Sequence, residues 1–191
     1  MIDIRPAAQR TAGLITAVTD EQLTLPTPCP DALVGDLIDH LGVFAGRFTA
    51  AARKEIDGPL APPPTPSGAN LEVGWRERLA RDLVALADAW HVPQAWEGST
   101  WAGSLEMPGE VAGLVALDEL VVHGWDIAVA TGQEYAPTAP EVDGAMAFVT
   151  SFEAPRDGRL FGPVVAVPGE ASVLDHLLGL TGRDPRWRPP A

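Results

Sequence analysis

Apolar residues recur at helical spacing over most of this chain. Ala7, Thr11, Leu14 and Val18 share one face and predict a first helix from about Asp3 to Val18. The stretch LPTPCPD predicts a proline-rich turn, with Asp31 placed to cap the helix that follows. That second helix runs to about Lys54, with Leu33, Leu37, Leu41, Phe44 and Phe48 as its apolar stripe. Gly58–Gly68 (GPLAPPPTPSG) holds five prolines, which remove donors and fix φ, so it reads as an exposed loop. Helical spacing resumes near Asn70 and continues to about Trp90, with Val73, Leu79, Leu83, Leu86 and Trp90 facing inward. Gln94–Met107 reads as a loop or a short hairpin.

From Glu110 to Ala130 the pattern changes. Val111, Leu114, Val115, Leu117, Leu120, Val121, Val122, Trp125 and Ile127 cover nearly every side, which marks a central, buried helix. Gly132 is placed to stop it. Shorter helices are predicted over Pro140–Phe152 and Ala171–Leu180, with GRLFGPVVAVP extended between them. Long amphipathic helices joined by short or proline-rich turns predict a mostly α, up-and-down four-helix bundle with short extra helices and a small extended segment, as one domain over 1–191.

Composition narrows the function classes. The formal charge of −13 repels phosphate backbones and anionic bilayers, which disfavours nucleic-acid and membrane partners. Cys29 is the one cysteine, so no intramolecular disulfide forms, in keeping with a reducing cytoplasm. The N-terminal MIDIRPAAQR lacks the apolar core of a signal peptide. The apolar region Gly113–Val122 is too short to span a bilayer.

Against this background four histidines stand out for where they fall. Glu119 and His123 are four apart on the buried helix, so both side chains can reach one spot. Alone, the pair reads as an ion pair or an exposed pair sooner than as two metal ligands. His40 borders the stripe of the second helix and adds a third donor. Two histidines and a carboxylate from two helices make the three-ligand set of a catalytic zinc-type site, and the same set suits nickel or iron. Asp126, three after His123, and Asp36, four before His40, can each orient a ligand histidine or lie solvated. Cys29 precedes a helix start, which can lower a thiol pKa, yet no base partner can be assigned and a structural role is expected. Trp125 reads as core or pocket wall, His91 as a helix end, and His176 as packed or solvated. The tail RDPRWRPP reads as a packed terminal strap.

TPTPCPDALVGDLIDHL, then LDELVVHGWDIAVATG, then LLGLTGRDPRW resemble the DinB-like metal-binding proteins related to mycothiol-dependent maleylpyruvate isomerase. The resemblance implies a four-helix bundle holding a divalent metal through three side chains, here His40 of DLIDHL and Glu119 and His123 of DELVVHGWD. Two departures matter. Ala32 stands where these proteins often carry an aromatic after CPD. The isomerase itself has an additional C-terminal domain with no clear equivalent here, so maleylpyruvate isomerisation is not carried over.

Three function classes follow. In the first, a divalent ion, zinc foremost, activates a small-molecule thiol for transfer to an electrophilic substrate or for isomerisation, and the resemblance implies mycothiol as that thiol. The second is metal-assisted hydrolysis, for which no further carboxylate is identifiable as base. The third is a non-catalytic metal-binding protein whose bundle forms a homodimer.

Overall fold

The structure is a computed structural model that describes residues 1–151 and 160–190. Its described part is mostly helical, with one two-stranded sheet. The elements in chain order are α1 (Arg5–Ala17), α2 (Val34–Ala52), α3 (Trp75–Trp90), α4 (Pro93–Trp96), β1 (Ser99–Ala102), β2 (Leu105–Pro108), α5 (Gly109–Thr131), α6 (Ala139–Thr150) and α7 (Val173–Leu180). Among the four longest helices, α1 packs on α3, α3 on α2, α2 on α5 and α5 on α1. Helix α6 covers α5, and α7 covers α6.

Helix α5 carries the central load. Leu117, Leu120, Val121, Val122, Ile127 and Ala128 are all buried, as the all-round apolar pattern predicts. Gly113 lets its N-terminal half press against Trp96, since a Cβ there would lie 2.5 Å from the indole ring. Gly132 ends the helix at a φ of 71°, the left-handed conformation glycine adopts without strain. The 94–107 region resolves into α4 and an antiparallel hairpin in which Ser99 pairs with Pro108 and Ala102 with Leu105.

Three boundary expectations are corrected. Asp31 does not cap α2. It sits in the preceding turn at a φ of 59°, and α2 starts at Val34, where the Asp36 carboxylate accepts from the Leu33 N–H at 3.0 Å. Leu33 is consequently exposed, outside the stripe that Leu37, Leu41 and Phe44 bury. Val73 is exposed as well, because Gly74 turns the chain at a φ of 78° and α3 begins only at Trp75, which takes the inward place. The helix expected to reach Phe152 ends at Thr150, and Phe152 lies outside the described residues, as do Gly158 and Arg159 of the expected extended segment. From Leu160 to Pro168 the chain forms no regular strand. Among the described residues no helix is long and apolar enough to cross a membrane.

Candidate metal centre

Helix α2 delivers His40 and helix α5 delivers Glu119 and His123 to one place. His40 borders the buried Leu37–Leu41 face and so reaches across to α5. Glu119 and His123 stand one turn apart on α5. The His40 Nε2 lies 2.9 Å from Glu119 Oε2, and the His123 Nε2 lies 3.2 Å from the same oxygen. The two imidazoles meet edge to face, with centroids 5.1 Å apart. One ligand atom from each of the three side chains falls within 4.8 Å of the others. The side chains keep 33%, 20% and 13% of their surface for His40, Glu119 and His123, so the cluster is reachable from outside.

Behind His123 stands a second layer. Its Nδ1 lies 3.0 Å from Asp126 Oδ2, and Asp126 is fully buried. The Arg183 guanidinium donates to both Asp126 oxygens, at 3.0 Å from Nη2 and 3.4 Å from Nε, and to the Thr181 carbonyl at 2.8 Å. A carboxylate already paired with arginine is an acceptor, so Nδ1 carries the proton toward Asp126 and Nε2 is the nitrogen left to bind a cation.

The electrostatics agree. Burial alone would raise the Glu119 carboxyl, but hydrogen bonds from His123 and His40 outweigh it and hold the group well below the ordinary carboxylate range. Burial likewise opposes charge on His123, yet the hydrogen bonds to Asp126 and Glu119 push it up to about 10. Asp126 is held down, against its burial, by the charge of Arg183 and by His123. The cluster therefore stabilises positive charge at Nε2 of His123, where a cation would replace the proton. Two imidazole nitrogens and one carboxylate oxygen converging on one point fit a divalent ion with an open position.

A second trio, Cys29, His123 and Asp126, also brings its ligand atoms within 4.8 Å. It suits a cation less well. Asp126 is taken by Arg183, and burial pushes the Cys29 thiol up, with only partial relief from His123 and Arg183. The helix-start effect weighed for Cys29 does not operate, since α2 begins five residues later at Val34, in keeping with the structural role expected of it.

Of the two aspartates left open by the sequence, the structure brings Asp126 to His123 and takes Asp36 elsewhere. Both Asp36 oxygens accept backbone N–H groups, from Leu33 at 3.0 Å and Gly68 at 2.9 Å. Arg183 lies in the RDPRW tail read as a strap, and the buried pairing with Asp126 was not foreseen. Asp118 was also missed. It is buried, its Oδ1 has no hydrogen-bond partner among the described residues, and burial together with the Glu119 charge pushes it up to about 8.

Two pockets open at the cluster. Both include His40 and Glu119. One, of about 400 Å³, is the more polar of the two, with Cys29, Asp118, His123, Thr181 and Arg183 in its walls beside the apolar Val122, Leu160 and Phe161. The other, of about 670 Å³, is walled mainly by apolar side chains of α2 and α5 and by the proline-rich loop.

Comparison with known proteins places these features in a family. A family model described as the mycothiol maleylpyruvate isomerase N-terminal domain matches residues 4–128, a span that holds His40, Glu119, His123 and Asp126. The proteins MT0763 and Rv0738, from two strains of Mycobacterium tuberculosis, are each 30% identical over 186 residues, covering 94% of this chain and 86% of their own length. No solved structure matches. The chain belongs to the mycothiol maleylpyruvate isomerase N-terminal domain family.

Proposed function

We propose that this protein binds one divalent metal ion, zinc foremost, through His40, Glu119 and His123, and uses it in a thiol-dependent transfer or isomerisation with mycothiol as the thiol. The observation that carries the reading is the convergence of the three ligand atoms within 4.8 Å at the junction of a polar and an apolar pocket. The family assignment supports mycothiol, and with it a cytoplasmic setting. The ring of contacts α1–α3–α2–α5 supports a four-helix bundle as the frame.

When bound, the ion would supply Lewis-acid stabilisation of a thiolate near neutral pH. The protein's own groups prepare the place. Asp126 holds the His123 ring by its Nδ1 proton, and Arg183 keeps Asp126 ionised in a buried setting. His40 approaches from the opposing helix and meets the same Glu119 oxygen as His123. The polar pocket suits the hydrophilic thiol. Within it Asp118 and Arg183 offer polar contacts to a thiol substituent. The apolar pocket is left for the second substrate.

The test is a titration of mycothiol, or of a simpler thiol at high concentration, into cobalt-substituted protein. The expected result is a new sulfur-to-metal charge-transfer band in wild type that is lost in His123→Ala. Absence of the band in metal-loaded wild type would reject direct thiol coordination.

A further inference from the structure

The apolar cavity has a direction. Along α2 it is lined by His40, Val43, Phe44, Arg47 and Phe48, one helix face at spacings of three and four. Across from them Val111, Val115 and Glu119 line it from α5 at spacing four. The cavity therefore runs lengthwise between the two helices and starts at the His40–Glu119 pair. From His40 to Arg47 is two helical turns, about 10 Å at 1.5 Å per residue. The proline-rich loop and the hairpin roof it, joined where the Leu60 N–H donates to the Gly103 carbonyl at 2.9 Å. Its volume of about 670 Å³ is that of a site for one medium-sized organic molecule.

Arg47 is the one lysine or arginine among the described residues that line this cavity. It is half-buried and makes no ion pair or side-chain hydrogen bond among the described residues, although the chain carries 26 acidic groups to 13 basic ones. A guanidinium left unpaired beside apolar walls in so acidic a protein is placed for an anion brought by a ligand. A compact dianion does not fit this arrangement, since part of its charge would lie against Phe44, Phe48, Val111 and Val115 without a partner.

We propose that the cavity takes an elongated apolar molecule with a single anionic end. Its carboxylate pairs with Arg47, its apolar body lies between α2 and α5, and its far end reaches the His40–Glu119 pair about 10 Å away. This deepens the proposed function by naming the class of the electrophilic substrate. It rests on that reading for the reaction, while the binding itself needs no metal.

The test uses decanoate and decanol as probes on the full chain, with binding followed by calorimetry in the presence and absence of zinc. Decanoate is expected to bind about tenfold or more tightly than decanol, the difference of one charge-assisted contact. Arg47→Gln should erase that preference without altering the melting temperature, and Val115→Trp should block both probes. Equal binding of the two probes to wild type, or an unchanged preference in Arg47→Gln, overturns the proposal. So does a preference that disappears in His40→Ala while surviving in Arg47→Gln, because the carboxylate then sits at the opposite end. Arg47-dependent binding of decanoate in a protein that shows no thiol band upholds the proposal and removes only the thiol reading.

Discussion

The two pockets that share His40 and Glu119 are built by different physics. The polar one is assembled from distant pieces: the turn holding Cys29, the middle of α5, and the segment after α7 that carries Arg183. Its walls are held by charge, through the buried line from Arg183 to Asp126 to His123 to Glu119. The apolar one is built mainly by two helix faces and a roof of proline-rich loop and hairpin. Charge networks fail when one member is removed, because the partner is left buried and unpaired, whereas an apolar wall loses only the area deleted. The two sides should therefore respond to substitution in opposite ways.

The largest effect is expected on the polar side. Arg183→Leu strands the Asp126 carboxylate in a fully buried place and should cost about 3–5 kcal/mol in urea unfolding. Adding Asp126→Leu to it should restore part of that loss. Next comes Asp126→Asn, which removes the acceptor that orients His123. Chelator competition should show metal affinity about 10- to 100-fold weaker, while binding in the apolar cavity stays unchanged.

Asp118 sharpens the comparison through pH. Its folded pKa is raised from 3.8 to about 8, so between those values the folded chain holds a proton that the unfolded chain releases. In metal-stripped protein this contribution makes stability fall as pH rises from about 4 to about 8. Asp118→Asn should flatten that slope and raise the melting temperature at pH 8 more than at pH 4. The smallest effect is expected from Val115→Ala on the apolar wall, about 1 kcal/mol in unfolding, since the side chain is half-buried and already faces the cavity.

The same contrast explains what could be read from the chain. Glu119 and His123 were legible because four-residue spacing places them together on a helix whose remaining faces are apolar. His40 was legible from its place beside Leu37 and Leu41. Such signals are local, and helical period carries them. Arg183 was not legible, for it lies 57 residues from Asp126 and meets it only through the docking of α7. The available signal was an arginine directly after an apolar helix and a glycine, in a chain poor in basic residues. Asp36 and Asp126 could not be told apart by spacing alone. The difference is set by Gly68, whose backbone reaches α2 and takes one Asp36 oxygen. The misplaced starts of α2 and α3 have a like cause. Positive φ at Asp31 and Gly74 decides where each helix begins, and hydrophobic period does not register it.

The central claim is that His40, Glu119 and His123 hold one divalent ion, and metal stoichiometry tests it most directly. Wild type and the His40→Ala/Glu119→Ala double variant would be stripped, loaded with zinc, dialysed and analysed for metal, with folding checked by circular dichroism. One zinc per chain in wild type and none in the folded double variant is the predicted result. Stoichiometric zinc retained by the folded double variant, or none taken up by folded wild type, would contradict it.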